Sequence, residues 1–179
     1  TPTEGDSTTN ALLDRVRAIG PLLVEHRDHA EETGALAEPA VLALHEAGLL
    51  KLWRPASLGG LEVDPVTYAI VAEEVAVHEP AAAWLMMAAN NAAFDLRMAN
   101  TRLVDAIYES NPDALICSTF NKPLRAEPAD GGFRVTGQVA FASGCRHADW
   151  LAHTTLAPPL GDGQPPRVLL VYHPRHELE

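Results

Sequence analysis

The hydrophobic period of this chain changes once, near Asn111-Pro112, and that change constrains the fold more than any other feature. Before it, apolar residues recur every three to four positions, the spacing of one helix face. After it they come in short runs and alternations bounded by glycine and proline, the pattern of strands. Patterns segregated in this way give helices and strands that form separate blocks rather than βαβ units. The expected fold class is therefore α+β, with an N-terminal all-α helical domain over residues 1–111 followed by an antiparallel β-domain over residues 112–179.

In the first block, Leu12, Leu13, Val16, Ile19, Leu22 and Leu23 keep helical spacing, with Asp14, Arg15, Arg17 and Glu25 between them. Thr8, Thr9 and Asn10 suit the N-cap of that helix, and Pro21 is expected to kink it or divide it in two. A short helix is expected over residues 38–47, with Gly48 just past its end. LWRPASLGGLEVDP reads as a loop, and Pro65 is a good first residue for the helix that carries Tyr68, Val71, Ala72 and Val75. The run AAAWLMMAANNAAFDLRMA, starting near Pro80, is apolar on nearly every side and should be buried on most faces. A last helix is expected over residues 102–109.

In the second block, ALICSTF reads as a buried strand, and Ala129-Asp130-Gly131-Gly132 is a strong hairpin signal with Phe133 and Val135 alternating after it. QVAFASG, WLAHTTL and RVLLVYH are expected as further strands, the last two separated by a proline-glycine loop from Pro158 to Pro166. VLLVYHPRHELE ends just after a strand, which leaves a sheet edge to be covered, so the chain is expected to be part of a longer one.

Composition narrows the function. Thirteen Lys and Arg stand against 24 Asp and Glu, a net charge of −11, and such a field repels phosphate backbones and anionic membranes. Neither nucleic acid nor membrane is expected as a partner. The polar N-terminus has no apolar signal segment, and the nearly uncharged stretch from Pro80 to Phe94 is too short to span a bilayer, so a soluble, cytoplasmic protein is expected. Two cysteines, Cys117 and Cys145, give no disulfide framework, and a reducing compartment is the simpler reading.

Local motifs declare no chemistry. Ser118 and Ser143 lack a nucleophile-elbow context, and no Gly-rich dinucleotide or phosphate loop is present. Cys145, His147 and Asp149 would share one face of a strand, but no second ligand group with metal spacing accompanies them, so no metal is expected.

The order of segments is more specific. Ala47-Gly48-Leu49, Pro55, Leu58-Gly59-Gly60, Glu73-Glu74 and Ala82-Ala83-Trp84 resemble the N-terminal helical domain of the acyl-CoA dehydrogenase superfamily. Gly131-Gly132, Gly137, Ser143-Gly144 and Ala148-Asp149-Trp150 resemble that family's middle β-domain, which is barrel-like. The resemblance runs from about Ala11 to the end and would cover about the first half of a typical member, leaving the C-terminal helical bundle outside. STFNKPLRA lacks the glycines and acid of a dehydrogenase loop. Phe141-Ala142-Ser143-Gly144 with the following Cys145 looks like the two-component flavin-dependent monooxygenases of the same fold.

That branch implies reduced FMN or FAD delivered by a separate flavin reductase, O2, and a small aromatic or heterocyclic substrate to be hydroxylated. It also implies a homo-oligomer, a tetramer, when full length. By the same resemblance, Ser118 and Ser143 lie near the flavin N5 and O4 edge, Phe141 lies against the ring, and Cys117 and Thr119 flank the first serine. Ser143 is the expected catalytic residue; a hydroxyl near N5 with dry surroundings suits a reduced flavin that meets O2. Trp84 and Asn91 are implied on the substrate side, where the helix carries Asn90-Asn91-Ala92 and no histidine to activate a phenol. Two other classes stay open: an FAD-dependent acyl-CoA dehydrogenase or oxidase, and a non-enzymatic interaction module of the same fold.

Overall fold

The computed structural model describes residues 4–177, in two compact units that meet in sequence between Leu115 and Ile116. The first holds six α-helices: α1 (Glu4–Glu25), α2 (Arg27–Thr33), α3 (Glu38–Glu46), α4 (Pro65–His78), α5 (Pro80–Asp95) and α6 (Thr101–Tyr108). Helix α1 starts well before the expected caps. Thr8, Thr9 and Asn10 lie inside it, where Thr9 Oγ1 meets Thr67 Oγ1 at 2.9 Å and so ties α1 to α4 instead of closing a helix end. Pro21 stays within α1, which breaks only at His26. Next to it Gly20 lets the two helices approach, since a Cβ there would lie 2.5 Å from the His78 ring.

The other helix ends follow their sequence signals. Asp64 caps α4, accepting from the backbone N–H groups of Val66 (2.9 Å) and Thr67 (3.1 Å), with Pro65 in the first turn. Gly48 is left-handed (φ 75°) just past α3. The core is a single cluster to which every long helix contributes: Val16 and Leu23 from α1, Leu44 from α3, Val71 and Val75 from α4, and Met86 from α5, with Leu49 and Leu52 from the loop. All eight are fully buried, each contributing roughly 2 kcal/mol of transfer energy. Helix α5 departs from its expected burial on one stripe, where Trp84 is 60% and Phe94 47% exposed.

The loop from Leu49 to Asp64 is held by its own backbone: Val63 N–H donates to Leu52 O (2.9 Å) and Leu61 N–H to Lys51 O (3.0 Å). Gly60 is obligatory there, because a Cβ would sit 1.9 Å from Arg54 O. Arg54, 4% exposed, donates to the carbonyls of Pro112 (2.6 Å) and Ala114 (3.3 Å), and its guanidinium lies 4.4 Å from the Tyr108 ring centre. It fastens the segment that follows α6.

The second unit is a four-stranded sheet of β1 (Ile116–Ala129), β2 (Gly132–Thr136), β3 (Trp150–Ala157) and β4 (Arg167–Pro174), in the order β2-β1-β3-β4. The hairpin closes as expected, with Ala129 opposite Gly132, and β3 and β4 pair antiparallel. The purely antiparallel expectation is corrected: β1 and β3 run parallel, from Ile116 opposite Trp150 to Arg125 opposite Leu156, so the sheet is mixed. Residues 137–149 carry the chain back from the end of β2 to the start of β3, the crossover that a parallel pair requires.

Those crossover residues also correct the expected QVAFASG strand. Gly137 (φ 138°), Phe141 (φ 58°) and Gly144 (φ 85°) leave the extended region and break any ladder. Cys145, His147 and Asp149 therefore share no strand face. Strand β1 instead runs on through Asn121-Lys122-Pro123, with a register shift between Thr119 and Leu124.

Candidate functional site

In the sheet, the residues singled out by resemblance sit around the turn of residues 141–148. Three backbone bonds shape it, Cys145 N–H to Ala142 O (3.1 Å), His147 N–H to Gly144 O (2.9 Å) and Ala148 N–H to Gly144 O (3.0 Å). The turn rests on β1. Cys117 packs with Ala148 and Leu151, with Ala142 and Cys145 against them, and Thr119 Oγ1 donates to Ala140 O at 3.3 Å. Cys117 and Thr119 are 2% and 5% exposed, and burial, with Cys145 nearby, pushes the Cys117 thiol up to about 12. A thiol so protonated is a packing group and no nucleophile.

Strand alternation separates the rest. Cys117 and Thr119 share the face of their register partners Leu151 and His153, whereas Ser118, half-buried, is paired with Ala152 and points the other way. Ser143 is half-buried in the turn. Phe141 stands beside it, 86% exposed and left-handed, an unusual conformation for a bulky residue in which the ring is bared instead of packed. Exposed aromatic ring, serine hydroxyl and turn N–H groups thus come together on a support fixed by Cys117 and Thr119.

On the Thr119 face of the sheet, His153 and His173 meet through their Nε2 atoms, with ring centres 4.5 Å apart. Burial first, and His173 second, lower the His153 pKa to about 4, so His153 is neutral at pH 7. Among the described residues no group of three or more His, Cys, Asp or Glu could hold a metal, and no helix is long and apolar enough to cross a membrane.

In the helical unit, Asn90 and Asn91 take different roles. Asn90 is fully buried; its Oδ1 accepts from Trp53 N–H (2.9 Å) and its Nδ2 donates to Leu49 O (2.9 Å) and Met86 O (2.8 Å). It is a structural clamp. Asn91 is half-buried and shares the open stripe of α5 with Trp84 and Met87. One residue of that stripe escaped the sequence reading: Asp95, one turn beyond Asn91. Its Oδ2 is buried without a hydrogen-bond partner, and burial raises its pKa. The available signal was that Asp95 is the single ionisable residue of α5. A cavity of about 360 Å³ lined by Arg27, Val77, Glu79 and Pro80 lies at the opposite end of α5, where Glu79 already faces Arg27 at 3.5 Å.

A helical unit of this build, followed by a β-unit with an exposed aromatic ring and a serine on its turn, has counterparts among known proteins. Residues 7–101, more than half the chain, match the acyl-CoA dehydrogenase N-terminal domain, and the chain belongs to that family. Hydroxylases are among the relatives it resembles. It is 27% identical to a pigment production hydroxylase of Rhodococcus sp. (strain ATCC 21145), over 97% of this chain and 44% of that one. It is 28% identical to the oxygenase component of the FADH(2)-dependent resorcinol hydroxylase of Rhizobium sp. (strain MTP-10005), over 94% of this chain and 41% of that one. Among solved structures, XiaF from Streptomyces sp. in complex with FADH2 and glycerol superposes with a TM-score of 0.91 at 26% identity, covering 98% of this chain and 44% of that one. The chain spans less than half the length of these relatives.

Proposed function

We propose that this chain is the flavin- and substrate-contacting part of a two-component flavin-dependent monooxygenase. It takes reduced FMN or FAD from a separate flavin reductase and uses O2 to hydroxylate a small aromatic or heterocyclic substrate, in the cytoplasm and as a homo-oligomer when full length. The observation that carries the reading is the turn at Phe141-Ala142-Ser143: an aromatic ring 86% exposed in a left-handed conformation, beside a half-buried serine. A flat isoalloxazine needs an apolar wall and a few donors at its polar edge, and this donor set fits.

In this reading Phe141 forms the wall, and Ser143 holds the N5 proton through its hydroxyl. Ser118, the hydroxyl expected at the O4 edge, points to the other face of β1 from the residues that carry the turn, so Ser143 is the hydroxyl this reading relies on. Cys117 and Thr119 do not touch the ring; they act by fixing the turn, since both are buried and the Thr119 hydroxyl is already engaged at Ala140 O. Trp84 and Asn91 face the substrate. A bound reduced flavin supplies the electrons with which one atom of O2 is placed on the substrate and the other leaves as water. The hydroxylase relatives, one named as FADH(2)-dependent, support this assignment.

An anaerobic titration with reduced and oxidised FMN and FAD tests it. The reduced forms should bind more tightly than the oxidised, and Ser143→Ala should weaken reduced-flavin binding by about tenfold, the worth of one hydrogen bond. Binding of oxidised FAD alone would favour the dehydrogenase or oxidase class. Absence of any flavin binding by the folded, full-length protein would leave the interaction module.

A further inference from the structure

A carboxylate oxygen removed from water with nothing to bond to is costly. Among the described residues Asp95 carries such an oxygen, Oδ2, with no hydrogen bond and no ion pair. The nearest basic residue in sequence, Arg97, is committed elsewhere: it bonds Glu62 at 3.1 Å and lies over the Phe94 ring at 4.8 Å. Asp95 follows Asn91 by one helical turn, on the stripe that also presents Met87 and Trp84. The stripe is otherwise apolar or amide, so a donor on a flat apolar ligand has one strong acceptor there.

Resting on the functional reading above, we propose that Asp95 is the specificity-determining acceptor of the substrate side. It takes a hydrogen bond from the O–H or ring N–H of a phenol- or indole-like substrate lying along the Trp84–Asn91 stripe. The missing histidine of α5 then ceases to be an obstacle, because a carboxylate on the same helix meets the donor. Burial raises the Asp95 pKa without any opposing bond, as expected for an acceptor awaiting its donor. The step is hydrogen bonding and moves no electrons.

Equilibrium binding to the full-length protein tests it without turnover. The probes are matched pairs that differ only in the donor: indole against 1-methylindole, and 2-naphthol against 2-methoxynaphthalene. The wild-type protein should prefer each donor by about tenfold or more, the worth of a charged hydrogen bond. Asp95→Leu should lose the preference while binding the methylated partners as well as before, which also shows that it is folded. Asp95→Asn, which keeps one acceptor, should retain part of it. A donor preference that survives in Asp95→Leu overturns the role of Asp95 and leaves the monooxygenase reading intact. If none of the four probes binds the wild-type protein, the assignment of Asp95 fails; the reduced-flavin titration then says whether the monooxygenase reading fails with it.

Discussion

The two units solve the problem of a stable interior differently. The helical unit has a large core drawn from five helices and a loop, and its most deeply buried amide, Asn90, spends three hydrogen bonds closing that core. The β-unit has a small cluster around Cys117, Ala148 and Leu151, while Phe133, Phe141, Leu156, Val168 and Leu170 remain exposed. The contrast separates a rigid body from a thin support. Most of the buried apolar side chains lie in the first, and the candidate turn is carried by the second on the small cluster around Cys117.

The largest test of this contrast is Leu44→Ala in the helical core. It should cost roughly 3 kcal/mol, the usual range for a fully buried leucine, and amide exchange followed peptide by peptide should speed up in the helices and not in the sheet. Exchange rising equally in both would mean that the two units unfold as one. Asn90→Leu should cost about 2 kcal/mol, because Trp53 N–H and Leu49 O lose their partner inside the core.

Acid should drive the regions apart. His153 is neutral in the fold, with a pKa lowered from 6.5 to about 4, so its contribution is complete above pH 6.5 and is lost as the pH falls toward 4. Asp95 has the opposite sign: its raised pKa means that protonation relieves a half-buried charge, so the helical unit gains as the pH falls through that pKa toward 3.8. Sheet peptides should therefore lose protection first between pH 6.5 and 4; helices failing first would break the comparison. Asn100→Ala, which removes the bond from Leu103 N–H that caps α6, should cost about 1 kcal/mol in thermal melts. Smallest of all, Phe141→Ala should change stability by less than about 0.5 kcal/mol, since the ring is exposed, while weakening flavin binding.

What could be read in the sequence follows the range of the interactions involved. Helix ends set by neighbours in the chain, such as Pro65 and Gly48, were legible because such end signals act over three or four residues. The Asp130-Gly131 hairpin was legible for the same reason. The parallel pairing of β1 with β3 was not, because a run of alternating residues does not name its partner. Nor does a phenylalanine announce that it will sit at positive φ, so QVAFASG, residues 138–144, read as a strand. The start of α1 was misplaced because Thr8, Thr9 and Asn10 look like caps, and only the distant Thr67 gives Thr9 another use. In the candidate site, the hydroxyls were visible by resemblance to a family. The face that each presents depends on register, and the isolation of Asp95 depends on what lies around it, which no local pattern encodes.

The grip of Arg54 on the chain after α6 bears on how a ribosome delivers this protein. Arg54 emerges 58 residues before Pro112 and 60 before Ala114, the carbonyls that neutralise its buried N–H groups. Until they arrive, the Arg54 guanidinium lacks the two carbonyls that accept from it, and burying it is unfavourable. The acceptors appear just ahead of Ile116, the first residue of the sheet. Synthesis itself would then act as a timer, sealing the helical unit at the moment the first strand leaves the tunnel and keeping a half-made bundle from settling too early.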